Sequence, residues 1–94
     1  MLAAVVGVNR TLEHPQDVIR TNTLLTMNTL DYVSQNPIKK LLFASSSENY
    51  AGTSDLFDCE IPTPETVPLC IGDVTHPRWT YAITKMHGEL AFIH

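Results

Sequence analysis

The amino-acid sequence predicts an α/β fold, in which two parallel strands are joined by a helix. Leu2 to Val8 is a nearly continuous apolar run rich in valine, which is typical of a strand buried on both faces. Residues 15–35 have a helical period, and residues 41–44 form a second apolar run. Strand, helix and strand in this order predict one βαβ unit with a right-handed crossover.

The predicted helix over residues 15–35 has recognisable ends. Pro15 suits the first turn of a helix, and Asp17 is favourable near the positive N-terminal end. Pro37 restricts the residue before it, so the helix should end at about Gln35. The apolar arc of this helix is wide. We therefore expect it to contact a sheet on one side and another helix on the other.

The second half of the chain divides into a long loop and a second helix. Residues 53–78 show no convincing period and contain four prolines, and a loop of this length usually has a function, as a lid or a binding loop. The helical period returns from Trp79 and continues to the end of the chain. It places one apolar stripe on the helix, formed by Ala82, Met86, Leu90 and Ile93.

The predicted elements are too few for a complete α/β domain. At 94 residues the chain is at most one small domain. Two parallel strands with two helices cannot cover both faces of a parallel sheet. We therefore expect residues 1–94 to be the central part of a larger domain.

Composition and charge exclude several classes of function. The formal net charge is −4 and the six lysines and arginines are scattered, so no nucleic-acid partner is expected. No apolar run has the length of a membrane span. Cys59 and Cys70 lack a CxxC spacing and predict reduced thiols in a cytoplasmic protein. The four histidines have no metal-binding spacing, so no metal site is expected.

One pair of side chains predicts proton-transfer chemistry. Tyr81 and Lys85 are four residues apart on the second helix, so they share one face. An ammonium beside a phenol lowers the pKa of the phenol from about 10, and such a phenol can exchange a proton with a substrate hydroxyl. The serines and glutamate of residues 45–48 follow the second predicted strand, where α/β sheets bind ligands. Together these groups are typical of alcohol oxidation by a nicotinamide.

Several motifs resemble a known family. Residues 81–85, YAITK, fit the YxxxK motif of the short-chain dehydrogenases/reductases. The flanking Gly88-Glu89, the upstream LLFASSSENYAG and the opening LAA resemble the extended branch, which includes nucleotide-sugar epimerases, 4,6-dehydratases and decarboxylases. The resemblance covers nearly the whole chain. It implies part of a Rossmann-type, NAD(P)-binding domain that includes the catalytic helix, without the glycine-rich strand–turn and the substrate domain.

The resemblance implies catalytic roles for four residues. Tyr81 would be the acid/base for the sugar hydroxyl, and Lys85 would hold the nicotinamide ribose and lower the pKa of Tyr81. Ser46 would hydrogen-bond the reacting oxygen, although the adjacent serines leave this register open by one residue. Glu48 would act as a base or position the sugar, and a solvated loop carboxylate is the alternative.

The resemblance also implies a cofactor site. Ala3, Ala4 and Ser45 would contact the dinucleotide together with Tyr81 and Lys85. NAD is the expected cofactor, and NADP stays open as an alternative. Asn22 lies at the position of a family asparagine, and a buried amide that binds the backbone is the alternative interpretation. The sequence departs from the family pattern because its glycines form no GxGxxG motif.

The leading hypothesis is an NAD(P)-dependent nucleotide-sugar epimerase/dehydratase in which Tyr81, Lys85 and Ser46 assist oxidation of a sugar hydroxyl. The resemblance also implies a homodimer that associates through the helices at residues 15–35 and 80–94. Two alternatives remain open at this point. The chain could be an inactive truncated piece or an associating subunit, or it could belong to a reductase of a non-sugar carbonyl.

Overall fold

The computed structural model describes all 94 residues, Met1 to His94, and it is built from helices. The elements in chain order are α1 (Val8–Glu13), α2 (Pro15–Gln35), a 3₁₀ helix (Ser47–Tyr50), α3 (Ala51–Leu56) and α4 (Trp79–Ile93). Helix α2 packs along α4, α1 packs on α2, and the 3₁₀ helix contacts both α3 and α4. None of the helices combines the length and apolar character needed to cross a membrane.

The predicted α/β class is wrong for this structure, which contains no strand and no sheet. The partial Rossmann-type βαβ unit is therefore not present. The chain is irregular from residue 1 to residue 7, and Val8, predicted to end a strand, begins α1. Residues 41–44 are irregular as well.

Two side chains bind backbone groups of the apolar runs. The Asn22 amide binds both backbone groups of Val5: the Val5 N–H donates to Oδ1 at 2.7 Å, and Nδ2 donates to the Val5 carbonyl at 3.0 Å. The Ala44 carbonyl accepts a hydrogen bond from Lys85. Backbone groups that side chains bind in this way are not free for a strand ladder. Backbone hydrogen bonds join the two runs only at Met1, whose amino group donates to the Leu42 carbonyl and whose carbonyl accepts from the Ala44 N–H, and this single contact does not extend into a sheet.

Gly7 turns the chain from the first apolar run into α1. Its φ of 116° lies in a region that L side chains rarely adopt, and only glycine reaches it without strain. The Gly7 carbonyl accepts hydrogen bonds from the Thr11 N–H at 2.9 Å and from the Thr11 hydroxyl at 3.0 Å, which close the first turn of α1. A glycine in this conformation ends the extended run one residue before the predicted boundary.

The two long helices were predicted correctly. Helix α2 begins at Pro15 and ends at Gln35, and Asn36 is extended before Pro37, as the restriction on pre-proline residues requires. Helix α4 begins at Trp79 and runs to Ile93. Helices α1 and α3 were missed, because six residues are too few to establish a helical period. The chain from residue 57 to residue 78 contains no helix.

The apolar core is small and lies where α2 meets α4. Trp79, Ala82 and Met86 form a buried cluster on α4, and Val18 is fully buried on α2. Ala51, Ile71 and Ile83 pack against this cluster. The wide apolar arc of α2 is only partly covered. Large apolar side chains stay exposed on α2 and α4, among them Leu24, Met27, Leu90 and Ile93.

Candidate active site

Tyr81 and Lys85 lie side by side on one face of α4, as their spacing predicts. The Lys85 Nζ is 5.7 Å from the centroid of the Tyr81 ring and 5.0 Å from the centroid of the Phe43 ring. Both distances are in the range of cation–π attraction. Phe43 comes from the second apolar run, so this contact holds that run against α4. The helix therefore presents the phenol and the ammonium as a pair.

The Lys85 ammonium is buried and has one hydrogen-bond partner in the protein. Lys85 is only 6% exposed, and its Nζ donates to the Ala44 carbonyl at 2.7 Å. Burial lowers the pKa of Lys85, because loss of water disfavours the charged form. An ammonium has three N–H donors, and Ala44 accepts only one of them. The other two N–H donors have no hydrogen-bond acceptor in the protein.

Tyr81 lines a cavity of about 300 Å³ between α1, the 3₁₀ helix and the start of α4. Glu48 lines the same cavity, so the structure brings these two predicted residues together. Arg78 is a further lining residue, and its Nη2 donates to Oε2 of Glu48 at 3.2 Å. Sequence reasoning missed Arg78. The only signal was its position, three residues before Tyr81 and next to the predicted helix.

The structure does not bring Ser46 to Tyr81. The Ser46 hydroxyl accepts a hydrogen bond from the Glu48 N–H at 3.3 Å and so caps the 3₁₀ helix. Ser46 does not line the Tyr81 cavity and makes no hydrogen bond to the phenol. Its proposed role toward the reacting oxygen stays a prediction.

Ser45 belongs to a separate hydrogen-bond network with two residues that sequence reasoning did not assign to the site. The Ser45 hydroxyl donates to Oε1 of Glu89, and the Asn49 Nδ2 donates to that oxygen at 2.9 Å and to the Ser45 hydroxyl at 3.0 Å. Asn49 is only 1% exposed. The network ties the serine segment and the 3₁₀ helix to α4, the helix that carries Tyr81 and Lys85.

Ala3 and Ala4 lie close to Lys85 but leave little room there. Together with Lys85 and Asn22 they line a crevice of about 10 Å³, which is hardly enough for one water molecule. The oxygen and the nitrogen of the Asn22 amide both bind the Val5 backbone, so the structure shows the backbone-binding interpretation of this residue. The predicted contact of Ala3 and Ala4 with a dinucleotide stays a prediction.

The residues present fit one end of an NAD cofactor. Tyr81 faces an open cavity, which suits a nicotinamide, and Lys85 beside it has unused N–H donors for a ribose hydroxyl. Because Lys85 lines only the crevice of about 10 Å³, a ribose could reach these donors only if that crevice widened. The four glycines form no phosphate-binding GxGxxG turn, so the chain offers no such cradle for the diphosphate. The fit is therefore limited to the reactive end of the cofactor.

Three curated relatives align with nearly all of this chain. The "UDP-glucuronate 4-epimerase" of Thermodesulfobacterium geofontis is 40% identical over 91 residues, which are 95% of this chain and 24% of that protein. The "UDP-N-acetyl-alpha-D-glucosaminuronate decarboxylase" of Bacillus cytotoxicus is 38% identical over 89 residues, 94% of this chain and 25% of that protein. The "Bifunctional protein GAL10" of Kluyveromyces lactis is 32% identical over 87 residues, 93% of this chain and 12% of that protein.

The chain spans about a quarter of the length of the first two relatives. No solved structure matches it at a significant level. Residues 1–93 match the NAD dependent epimerase/dehydratase family. This match includes the Tyr81–Lys85 pair, the Glu48 segment and both long helices, and it confirms the resemblance inferred from the motifs. The chain therefore belongs to the NAD-dependent epimerase/dehydratase family.

Proposed function

We propose that the protein carrying this chain is an NAD(P)-dependent nucleotide-sugar epimerase, dehydratase or decarboxylase in which Tyr81 exchanges a proton with a sugar hydroxyl. The observation that carries this proposal is the buried Lys85 ammonium, 5.7 Å from the Tyr81 ring centroid, with Tyr81 facing an open cavity. Family membership and the nucleotide-sugar relatives support the general kind of activity.

Tyr81 would act as the proton acceptor. The positive charge of Lys85 would stabilise negative charge that develops on the Tyr81 oxygen during proton transfer, and its partial removal from water would strengthen this effect. The phenolate would take the proton of the sugar hydroxyl, while bound NAD supplies the hydride acceptor. The unused N–H donors of Lys85 would hold the ribose hydroxyls and thereby orient the nicotinamide beside Tyr81.

Glu48 and Ser46 would assist this step. Glu48 places a carboxylate in the Tyr81 cavity, where it would position the sugar or accept a second proton during elimination or decarboxylation. Ser46 accepts a hydrogen bond from the Glu48 N–H and keeps its own O–H free to donate to the reacting oxygen. That donation requires a movement of the serine segment toward Tyr81.

The substitution Tyr81→Phe tests the proposal in the protein that carries this chain. We expect turnover of UDP-, GDP- or dTDP-sugars to fall by about 10²- to 10⁴-fold, because a general acid/base contributes about that much. Binding of NAD(H), measured by fluorescence, should be retained, because the substitution removes only the phenol hydroxyl and leaves Lys85 in place. Tyr32→Phe on the exposed face of α2 is the matched control.

Several outcomes would contradict this function. Full activity of the Tyr81→Phe variant would refute the acid/base role. Turnover of a non-sugar carbonyl with no turnover of nucleotide sugars would favour the reductase alternative. No NAD(H) binding and no turnover in the unsubstituted protein would favour an associating subunit without catalysis.

We also propose that the protein forms a homodimer through α2 and α4. The support is the apolar surface left on these helices, where Met27 is 40% exposed, Leu90 63% and Ile93 74%. Leu90→Lys combined with Ile93→Lys should shift the protein toward monomer in sedimentation velocity. Leu42→Lys is a control because Leu42 is 71% exposed but lies outside both helices. A monomeric unsubstituted protein would contradict the proposal.

A further inference from the structure

Arg78 is the only basic residue among those that line the Tyr81 cavity. Its guanidinium makes one hydrogen bond, from Nη2 to Glu48 Oε2 at 3.2 Å. A guanidinium carries several N–H donors in a planar fork, so most of its donors remain unused. Arg78 therefore offers a positively charged, partly free binding group beside the proposed acid/base.

The ion pair between Arg78 and Glu48 is weak. The two side chains are 41% and 48% exposed, and an ion pair so exposed to water contributes little to stability. An anion that enters the cavity can therefore displace Glu48 from Arg78 at little cost. The guanidinium also lies over the Trp79 ring at 5.0 Å from the centroid, and Trp79 is buried. This contact restrains the guanidinium near the cavity without using its N–H donors.

We propose that Arg78 binds a carboxylate on the reacting sugar, and that the substrate is therefore an acidic nucleotide sugar. The inference rests on the proposed function, which places that sugar at Tyr81. Arg78 and Tyr81 are three residues apart and line the same cavity, so one sugar ring can present a hydroxyl to Tyr81 and a carboxylate to Arg78. The planar fork of arginine matches a carboxylate through two parallel hydrogen bonds.

Glu48 has a second role in this proposal. Its carboxylate occupies Arg78 when no acidic sugar is bound, and it competes with the sugar carboxylate for the same guanidinium. Two carboxylates on one guanidinium repel each other, so an acidic sugar must shift Glu48 within the cavity. The Glu48–Arg78 pair would thus change its partners when substrate binds.

A substrate diphosphate is another anion that could meet Arg78. A matched pair of ligands separates the two sources, because UDP-glucuronate and UDP-glucose share the nucleotide and the diphosphate and differ at the sugar carboxylate. Both ligands are titrated calorimetrically into the NAD-bound protein that carries this chain. The difference between the two affinities then measures the contribution of the sugar carboxylate.

Arg78→Gln is the decisive variant. We expect UDP-glucuronate binding to weaken by about 10- to 100-fold, as for loss of a charge-assisted hydrogen bond, and UDP-glucose binding to change by less than about 3-fold. Arg78→Lys, which keeps the charge and loses the fork, should fall between Arg78→Gln and the unsubstituted protein. Arg20→Gln removes an exposed charge on α2 and should leave both affinities unchanged. Circular dichroism checks that each variant is folded.

Equal weakening for both ligands would overturn the proposal in favour of the diphosphate. Unchanged affinity for UDP-glucuronate, or a failure of UDP-glucuronate to bind the unsubstituted protein, would also overturn it. Glu48→Gln provides a second measurement: it should tighten UDP-glucuronate binding, and most of this gain should disappear when Arg78→Gln is added. Weaker binding in Glu48→Gln would contradict the competition.

These outcomes are separate from those of the Tyr81 experiment. Loss of turnover in Tyr81→Phe together with no ligand discrimination by Arg78 would leave the proposed function intact and refute only carboxylate recognition. Full turnover in Tyr81→Phe would refute the proposed acid/base role, whatever the binding titrations show.

Discussion

The two cations near Tyr81 have opposite environments. Lys85 is 6% exposed, bonded to a backbone carbonyl and enclosed by aromatic rings, whereas the Arg78 side chain is 41% exposed and bonded to an exposed carboxylate. A buried cation cannot move without breaking contacts that water does not replace, but an exposed one can exchange partners cheaply. The Lys85 side of the site is thus fixed in advance, and the Arg78 side can adapt to a ligand.

The largest effect is expected on the buried side. In the protein that carries this chain, Lys85→Met should lower turnover by about 10²- to 10⁴-fold, because the proposed proton transfer at Tyr81 loses the positive charge beside it. A steady-state assay measures this change, with Lys39→Met as the control at an exposed position. Turnover close to that of the unsubstituted protein would show that the buried cation is only structural.

The same substitution tests the effect of burial on pH dependence. Burial lowers the pKa of Lys85 below its ordinary value of 10.5. Between the lowered pKa and 10.5, the unfolded chain binds more protons at this position than the folded chain does, so this residue's contribution makes stability increase with pH. Lys85→Met should remove that increase in thermal melts toward alkaline pH. If the difference in stability between the unsubstituted protein and the Lys85→Met variant does not change with pH, Lys85 is not desolvated in the folded protein.

Gly88→Ala breaks the aromatic contact on the buried side. A Cβ at Gly88 would overlap the Phe43 ring, whose Cε atoms lie at 2.9 and 3.0 Å from its position. Phe43 also packs against Phe92, with ring centroids 5.3 Å apart, so it cannot withdraw freely. We expect the free energy of unfolding to fall by about 1–3 kcal/mol, as in other overpacked sites. Denaturant titration measures it, and an unchanged or higher midpoint would mean that Phe43 moves at no cost.

Asn49→Ala should have an effect of the same order. The substitution removes the two hydrogen bonds from Nδ2 to Ser45 and Glu89 in a position that is only 1% exposed. We expect a loss of about 1–3 kcal/mol in the free energy of unfolding. Asn28→Ala, at an exposed position on α2, should stay within about 0.5 kcal/mol of the unsubstituted protein. Equal effects of the two substitutions would contradict a role for the network in holding α4.

The smallest effect is expected on the exposed side. Glu48→Gln removes the ion pair with Arg78, but both side chains are largely in water, so the free energy of unfolding should change by less than about 1 kcal/mol. A thermal melt at low and high salt measures this change. A loss as large as that of Gly88→Ala would show that the exposed pair is not adaptable, and the contrast between the two sides would fail.

Local patterns predicted the two long helices of this protein and missed the three short ones, α1, the 3₁₀ helix and α3. Helix α2 lies over residues 15–35 as predicted, because its signals, a proline at each end and a helical period between them, are carried by the segment itself. Strands depend on partners elsewhere. The amide of Asn22 occupies both backbone groups of Val5, so an apolar run with a strand-like pattern stays irregular.

The features of the candidate site also divide into those that the sequence predicts and those that depend on tertiary packing. The sequence by itself determined the family, the shared face of Tyr81 and Lys85, and the position of Glu48 after the serines, because motifs and helical spacing are local. Only the tertiary structure decided that Lys85 is buried against Ala44, that Arg78 pairs with Glu48 and that Glu89 binds both Ser45 and Asn49. Each of these contacts joins residues 30 or more positions apart in the chain. Burial and pairing over such separations depend on how the helices pack, which spacing along the sequence does not specify.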